Sequence, residues 1–172
     1  VTIKGGASGV KGSTGSALAN DYIWSFTTET VSSQPVTIQT FNTKTGTAPT
    51  VHSLTGVPAG ALLVLATTAD AVVSDCIVSS VPAVTWTKRV DAGAAKSDNA
   101  EIWTAVYSAG GTISVTSNWG AANSQSSVCY VVLNAEPVLS GTFGTGVLQT
   151  APSVNISTSR SNSIIIGCTA DW

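Results

Sequence analysis

The chain is short of charge. Lysine, arginine, aspartate and glutamate make up 9% of its 172 residues, where an ordinary soluble domain carries about 25%. Seven basic residues against nine acidic ones leave a net charge of −2, and the lysines and arginines are scattered along the sequence. Nucleic-acid binding rests on clustered basic residues, so no nucleic-acid partner is expected. No apolar stretch approaches the ~20 residues of a spanning helix, so no membrane insertion is expected. No basic segment leads into an apolar core at the start of the sequence, so no signal peptide is expected within it, which for a fragment or mature product says nothing about secretion. Methionine is absent and His52 is the single histidine. His52 has no partner at a known catalytic spacing, and neither a G-x-S-x-G elbow nor an H-E-x-x-H helix occurs. A glycosidase needs two carboxyls facing each other across a cleft; here Asp70, Asp75, Glu101, Glu136 and Asp171 read as solvated loop and edge charges. No enzyme is expected.

The three cysteines, Cys76, Cys129 and Cys168, show no C-x-x-C spacing, which argues against a metal site. Cys129 and Cys168 lie in strand-like runs and read as small buried apolar residues; a Cys129–Cys168 disulfide, with one thiol left over, is the alternative. Asp91, Asp98 and Asn99 bring oxygen ligands into one loop, but without the D-x-D-x-D-G pattern of a calcium site. No cofactor is expected.

What the chain does have is short alternating runs between turn signals. Tyr22, Trp24 and Phe26 fall on one face of a strand that ends in Thr27-Thr28. Glu29 to Pro35 is a polar linker. Val36 to Phe41 alternates, Gly46 to Pro49 is a loop, and Val57 to Gly60 is a turn. Ala61 to Thr67 is an unbroken apolar run that fits a strand covered on both faces. Further strands are expected at Val84–Val90, Glu101–Tyr107, Thr112–Thr116, Val128–Leu133, Ser153–Thr158 and Ser163–Thr169. Polar loops are expected at 91–99 and 118–126, the second carrying Trp119, and a Gly-rich turn at Ser140–Gly146. Only Ser16–Asn20 and Ala92–Ala95 could make helical turns. Strands at this spacing read as an all-β sandwich or barrel and not as βαβ units.

Two resemblances refine that reading. The run from Gly9 to Thr28 resembles the C-terminal signature of bacterial Ig-like domains of surface and S-layer-type proteins, roughly G-V-K-D-x-x-G-N-x-L-x-x-x-Y-x-W-x-F-T-T. Gly12 stands where that family has Asp, and Ser16 where it has Asn. The stretches Val57-Pro58-Ala59-Gly60, Val84-Thr85-Trp86-Thr87-Lys88, Ala100-Glu101-Ile102-Trp103 through Thr116, and Ser126 through Pro137 resemble a jelly-roll-like β-sandwich module of secreted bacterial proteins and some phage virion proteins. The resemblances imply an Ig-like strand pair followed by an antiparallel jelly-roll-like β-sandwich: residues 1–29 the end of an Ig-like domain, 30–35 a linker and 36–172 the second module. Ile164 to Thr169 is followed at once by Ala170-Asp171-Trp172, so that module is expected to be truncated at its C-terminus. Either the chain is an excerpt of a longer protein, or a neighbouring subunit supplies the missing strands.

The function these features imply is that of a non-enzymatic structural or adhesive module of a secreted or cell-surface bacterial protein. It would act through strand edges and apolar contacts with neighbouring copies or domains. A carbohydrate-binding module of a secreted hydrolase is the alternative, and a phage tail or decoration protein the third reading. For glycan or partner contact the candidates are Trp119, Trp103, Trp86 and Tyr107, since an exposed ring offers an apolar face to a pyranose. Trp86 and Trp103 read first as core residues, while Trp119, flanked by Asn118 and Gly120, is expected to be exposed. Asn155-Ile156-Ser157 is the one N-x-S/T sequon, placed in an expected strand.

Overall fold

The computed structural model describes residues 2–3, 8, 11, 13–17, 20, 22–23, 34–47, 49–70, 74–92, 98–120, 124–135 and 162–169. Trp24, Phe26, Ser140–Gly146, Ser153–Thr158 with its sequon, Glu136 and Asp171 lie outside them. Among the described residues the fold is all-β, with no helix. The chain divides into two compact units, Val1–Ser33 and Gln34–Trp172. In the first, β1 (Thr2–Ile3) pairs antiparallel with β2 (Tyr22–Ile23). Ala17, placed in an expected helical turn, instead bridges Lys11 across the turn at Ser13–Gly15.

Among the described residues the second unit holds eight antiparallel strands. They are β3 (Thr37–Gly46), β4 (Thr50–Val57), β5 (Ala61–Asp70), β6 (Ile77–Val81), β7 (Thr87–Asp91), β8 (Asp98–Tyr107), β9 (Gly111–Asn118) and β10 (Gln125–Leu133). They form a five-stranded sheet in the order β3-β10-β5-β8-β7 and a three-stranded sheet in the order β4-β9-β6. From β3 to β7 consecutive strands alternate between the sheets, the crossing pattern of a jelly roll. Leu54 and Val57 from β4 and Ile113 and Val115 from β9 meet Leu63, Leu65, Tyr107, Cys129 and Val131 of the larger sheet in one core.

The apolar run at Ala61–Thr67 is buried on both faces. Leu63 and Leu65 enter that core, while Leu62 and Val64 pack on the outer face with Val132. Ile166 covers that outer face. The expected strand at 163–169 is therefore corrected: these residues form no ladder. An outer sheet face this apolar gains more from being covered than from one more strand at its edge.

At the turn between β8 and β9 the backbone runs too close for a side chain. Gly110 has φ +70°, and a Cβ there would stand 2.8 Å from the Ala59 amide nitrogen. Only glycine fits both constraints.

Candidate functional site

The inward rows of the second unit change character along the strands. At one end they are Leu54, Leu63, Tyr107, Ile113 and Val131. Further along, the same rows carry Thr50, His52, Thr67, Glu101, Ser117, Gln125 and Ser127, all buried. The register aligns the change. Ser127 faces Lys44 on one side and Thr67 on the other, Thr67 faces Glu101, and Glu101 faces Asp91, a polar row across the whole larger sheet.

Buried polar groups must pair with one another, and most of these do. His52 Nδ1 lies 3.1 Å from Asn42 Oδ1 and its Nε2 lies 2.8 Å from Ser127 Oγ. The tautomer that satisfies both donates Nδ1–H to Asn42 and accepts the Ser127 hydroxyl proton at Nε2. Thr50 Oγ1 is 2.9 Å from Ser127 Oγ. Burial, the largest influence, lowers the His52 pKa to about 4, so the ring is neutral at neutral pH. Thr67 Oγ1 accepts Trp119 Nε1–H at 2.8 Å and lies 2.9 Å from Ser117 Oγ. Asn99 Nδ2 and Gln125 Oε1 are the buried side-chain polar atoms without a partner among the described residues.

Serine, histidine and asparagine in this order make a nucleophile–base–orienter chain on paper. In this fold it is sealed: His52 is 0% and Ser127 2% exposed. The hollow at Ile38–Phe41 and Tyr130, and the one between Ala83–Arg89 and Thr104–Ser108, are lined by other side chains. Among the described residues these side chains bond to one another inside the sandwich.

At the opposite edge of the larger sheet, Lys88 of β7 sits among three carboxylates. Its Nζ is 2.7 Å from Asp75 Oδ2, contacts Asp91 Oδ2 and lies 3.5 Å from Glu101 Oε1. Glu101 is fully buried; Trp103 Nε1–H donates to its Oε2 at 2.6 Å and the Cys76 amide to its Oε1 at 3.4 Å. Burial pushes the Glu101 carboxyl above its ordinary range, only partly offset by Trp103 and Lys88. Burial also opposes the Lys88 charge, but Asp75 and Asp91 outweigh it and hold the ammonium firmly protonated. The oxygens of Asp75, Asp91 and Glu101 lie within 4.8 Å of one another. The Lys88 ammonium already supplies their positive charge, so the group is an ion-pair cluster.

The sequence candidates do not form a platform. Trp119, expected to be exposed, is corrected: it is 1% exposed and packs with Ala69 and Cys76. Its burial follows from phase, because the inward positions Ile113, Val115 and Ser117 of β9 continue to residue 119. Tyr107 is buried, with its hydroxyl donating to the Thr112 carbonyl at 3.1 Å. Trp86 and Trp103 are half-buried against the main core, and Trp86 Nε1–H donates to Ser80 Oγ at 3.3 Å.

The Cys129–Cys168 disulfide is also corrected, since all three thiols are free. Cys129 faces Leu65 in the core, while Cys168 Sγ lies 3.6 Å from the carbonyl oxygen of Glu101 on β8, with β5 between β8 and β10. Two strand spacings of ~4.8 Å exceed the ~7 Å Cα reach of a disulfide. Burial pushes the Cys129 thiol up to about 12, and those of Cys76 and Cys168 up to about 11, so none is a ready nucleophile.

The exposed aromatic surface is elsewhere. On β3, Phe41 is 62% exposed and its ring lies 6.0 Å from that of Tyr130 on β10. These two, with Ile38, Gln39 and Thr40, line a shallow hollow. No protein-family profile, curated protein or solved structure matches this chain.

Proposed function

We propose that this chain is a non-enzymatic structural or adhesive module, which joins neighbouring copies or domains by adding a strand to the β3 edge of its larger sheet. The observation that carries this is β3 itself. It is ten residues long, exposed at every position but Asn42, and stands at the sheet edge with β10 as its strand partner among the described residues. Its sequence, Thr-Ile-Gln-Thr-Phe-Asn-Thr-Lys-Thr-Gly, is rich in β-branched residues, has no proline and carries one charge, Lys44. Monomeric proteins blunt such edges with several charges, proline, bulges or a short strand; this one has a single lysine, one bulge at Gln39 and neither of the others. The Ig-like resemblance of the first unit and the low charge favour a bacterial cell-surface or extracellular setting.

Light scattering and electron microscopy on the full chain test the reading. Concentration-dependent assembly is expected, with Phe41→Lys and Thr43→Lys, placed on that edge, weakening it at least tenfold. A wild-type chain that stays monomeric at all concentrations overturns it.

One observation favours a second reading, glycan binding. The Phe41–Tyr130 pair offers two tilted rings (42° between planes) in an uncharged setting. Sugar stacking would then be lost in Phe41→Ala and kept in the former candidate Trp119→Phe.

A further inference from the structure

The Lys88 cluster plays no part in edge pairing, and its geometry suits a covalent step. Asp75 lies two residues before β6, which belongs to the smaller sheet, and Lys88 belongs to β7 of the larger one. We propose that the Lys88 and Asp75 side chains condense into an amide, a covalent tie between the two sheets of the sandwich. The amine nitrogen already stands 2.7 Å from an Asp75 carboxylate oxygen, which is one bond from the carbon it would attack. Asp91, three residues along the same strand, keeps its own carboxylate against Nζ.

The balance of the step is simple. The ammonium, held protonated at rest, transiently passes one proton to the Asp75 carboxylate along the existing contact, which leaves an amine and a carboxylic acid. Nζ attacks Asp75 Cγ, a C–N bond forms, and the C–OH bond breaks with the departure of one water. Nothing is oxidised or reduced, and one positive and one negative charge disappear together. Glu101 is the proton carrier: its carboxyl is fully buried, 3.5 Å from Nζ, and fixed by Trp103 and the Cys76 amide. It accepts the second proton from Nζ and delivers one to the departing hydroxyl. The Trp103 ring, 5.7 Å from Nζ, walls the amine from the inside, while Asp75, 62% exposed at its side chain, gives the water a way out. Amide formation in water is ordinarily opposed by the solvent. Two groups held against each other by the fold react as if at a concentration far above any in solution, up to ~10⁵ M or more once the reacting atoms align, and this favours the condensation.

The test is the intact mass of the full wild-type chain, folded first and then measured under denaturing conditions, with the circular dichroism of each variant showing that it too has folded. The expected mass is one water below that of the sequence. Trypsin should fail to cut after Lys88, whose amine is acylated, and the digest should contain a branched peptide joining Asp75 to Lys88. Lys88→Arg and Asp75→Ala should return to the full sequence mass. Asp75→Asn should form the same amide with loss of ammonia, and Glu101→Gln should cut the linked fraction at least tenfold. A wild-type chain at full sequence mass overturns the proposal. So does a water loss that persists in Lys88→Arg, or a branch that maps to Asp91.

Discussion

The two ends of the sandwich interior solve the same problem by different means. At one end Leu54, Leu63, Ile113 and Val131 fill the space between the sheets with hydrocarbon. At the other, His52, Thr50, Ser117, Thr67 and Ser127 fill it with hydrogen bonds. The apolar end draws its stability from removing surface from water, a gain that needs no direction and tolerates small errors of fit. The polar end gains little net energy per bond and loses much for each bond left unmade. It therefore fixes one arrangement of the strands more than it stabilises that arrangement. The difference teaches where this molecule is sensitive: to volume at one end, to protons and single hydrogen atoms at the other.

The largest expected effect belongs to the apolar end. Leu63 is fully buried on the central strand of the larger sheet. Leu63→Ala removes its hydrocarbon and leaves a cavity, a loss of about 3 kcal/mol in urea unfolding within the usual span for such sites. A similar total comes from acid at the polar end. The His52 pKa falls from 6.5 to about 4 in the folded chain, so between those values the unfolded chain binds the proton more readily. Stability is complete above pH 6.5 and declines as pH falls toward 4, by about 3 kcal/mol. Glu101 acts in the opposite sense: its raised folded value favours the fold at low pH and is lost as pH rises through it. The His52 share is isolated by subtracting the pH–stability curve of His52→Gln from that of the wild type. If the two curves run parallel between pH 6.5 and 4, the polar end is not the proton-sensitive one and the comparison fails.

The same division explains what could be read in the sequence. β5, β8 and the second half of β10 were legible because their inward residues are apolar or their runs continuous. β4 was not, because its inward positions Thr50 and His52 are as polar as its outward Ser53. β6 was hidden for a related reason: its exposed positions include Ile77 and Val81, while Ser80 is half-buried and accepts from Trp86. Hydropathy alternation fails wherever the interior is hydrogen-bonded. The partners of His52 were invisible for another reason. Asn42 and Ser127 lie 10 and 75 residues away in sequence, and only the pairing of β3 with β10 and their packing on β4 brings them together. Trp119 was legible through its phase with Ile113, Val115 and Ser117, a signal masked by the polar residues around it. The apolar run at Ile164–Ile166 showed that something must be covered, but not that it would lie on a sheet face instead of joining an edge.

The smallest effect sharpens the contrast most. Trp119→Phe keeps most of the buried ring but deletes the Nε1–H that Thr67 Oγ1 accepts at 2.8 Å. Thr67 keeps its contacts with Ser117 Oγ, 2.9 Å away, and with the Ser126 carbonyl oxygen, which accepts its hydroxyl proton at 3.4 Å, so the oxygen is not orphaned. The cost should be that of one net hydrogen bond, about 1 kcal/mol, together with a small void. Thr67→Val in the same background leaves the introduced phenyl ring facing a methyl group, with no donor stranded against it. The second substitution should then cost less than Thr67→Val alone, where the Trp119 N–H is left buried and unpaired. A double-mutant cycle read by urea unfolding should give a coupling of about 1 kcal/mol between the two sites. Additive costs would mean that the polar end is held by packing after all, and that its hydrogen bonds fill space without selecting the fold.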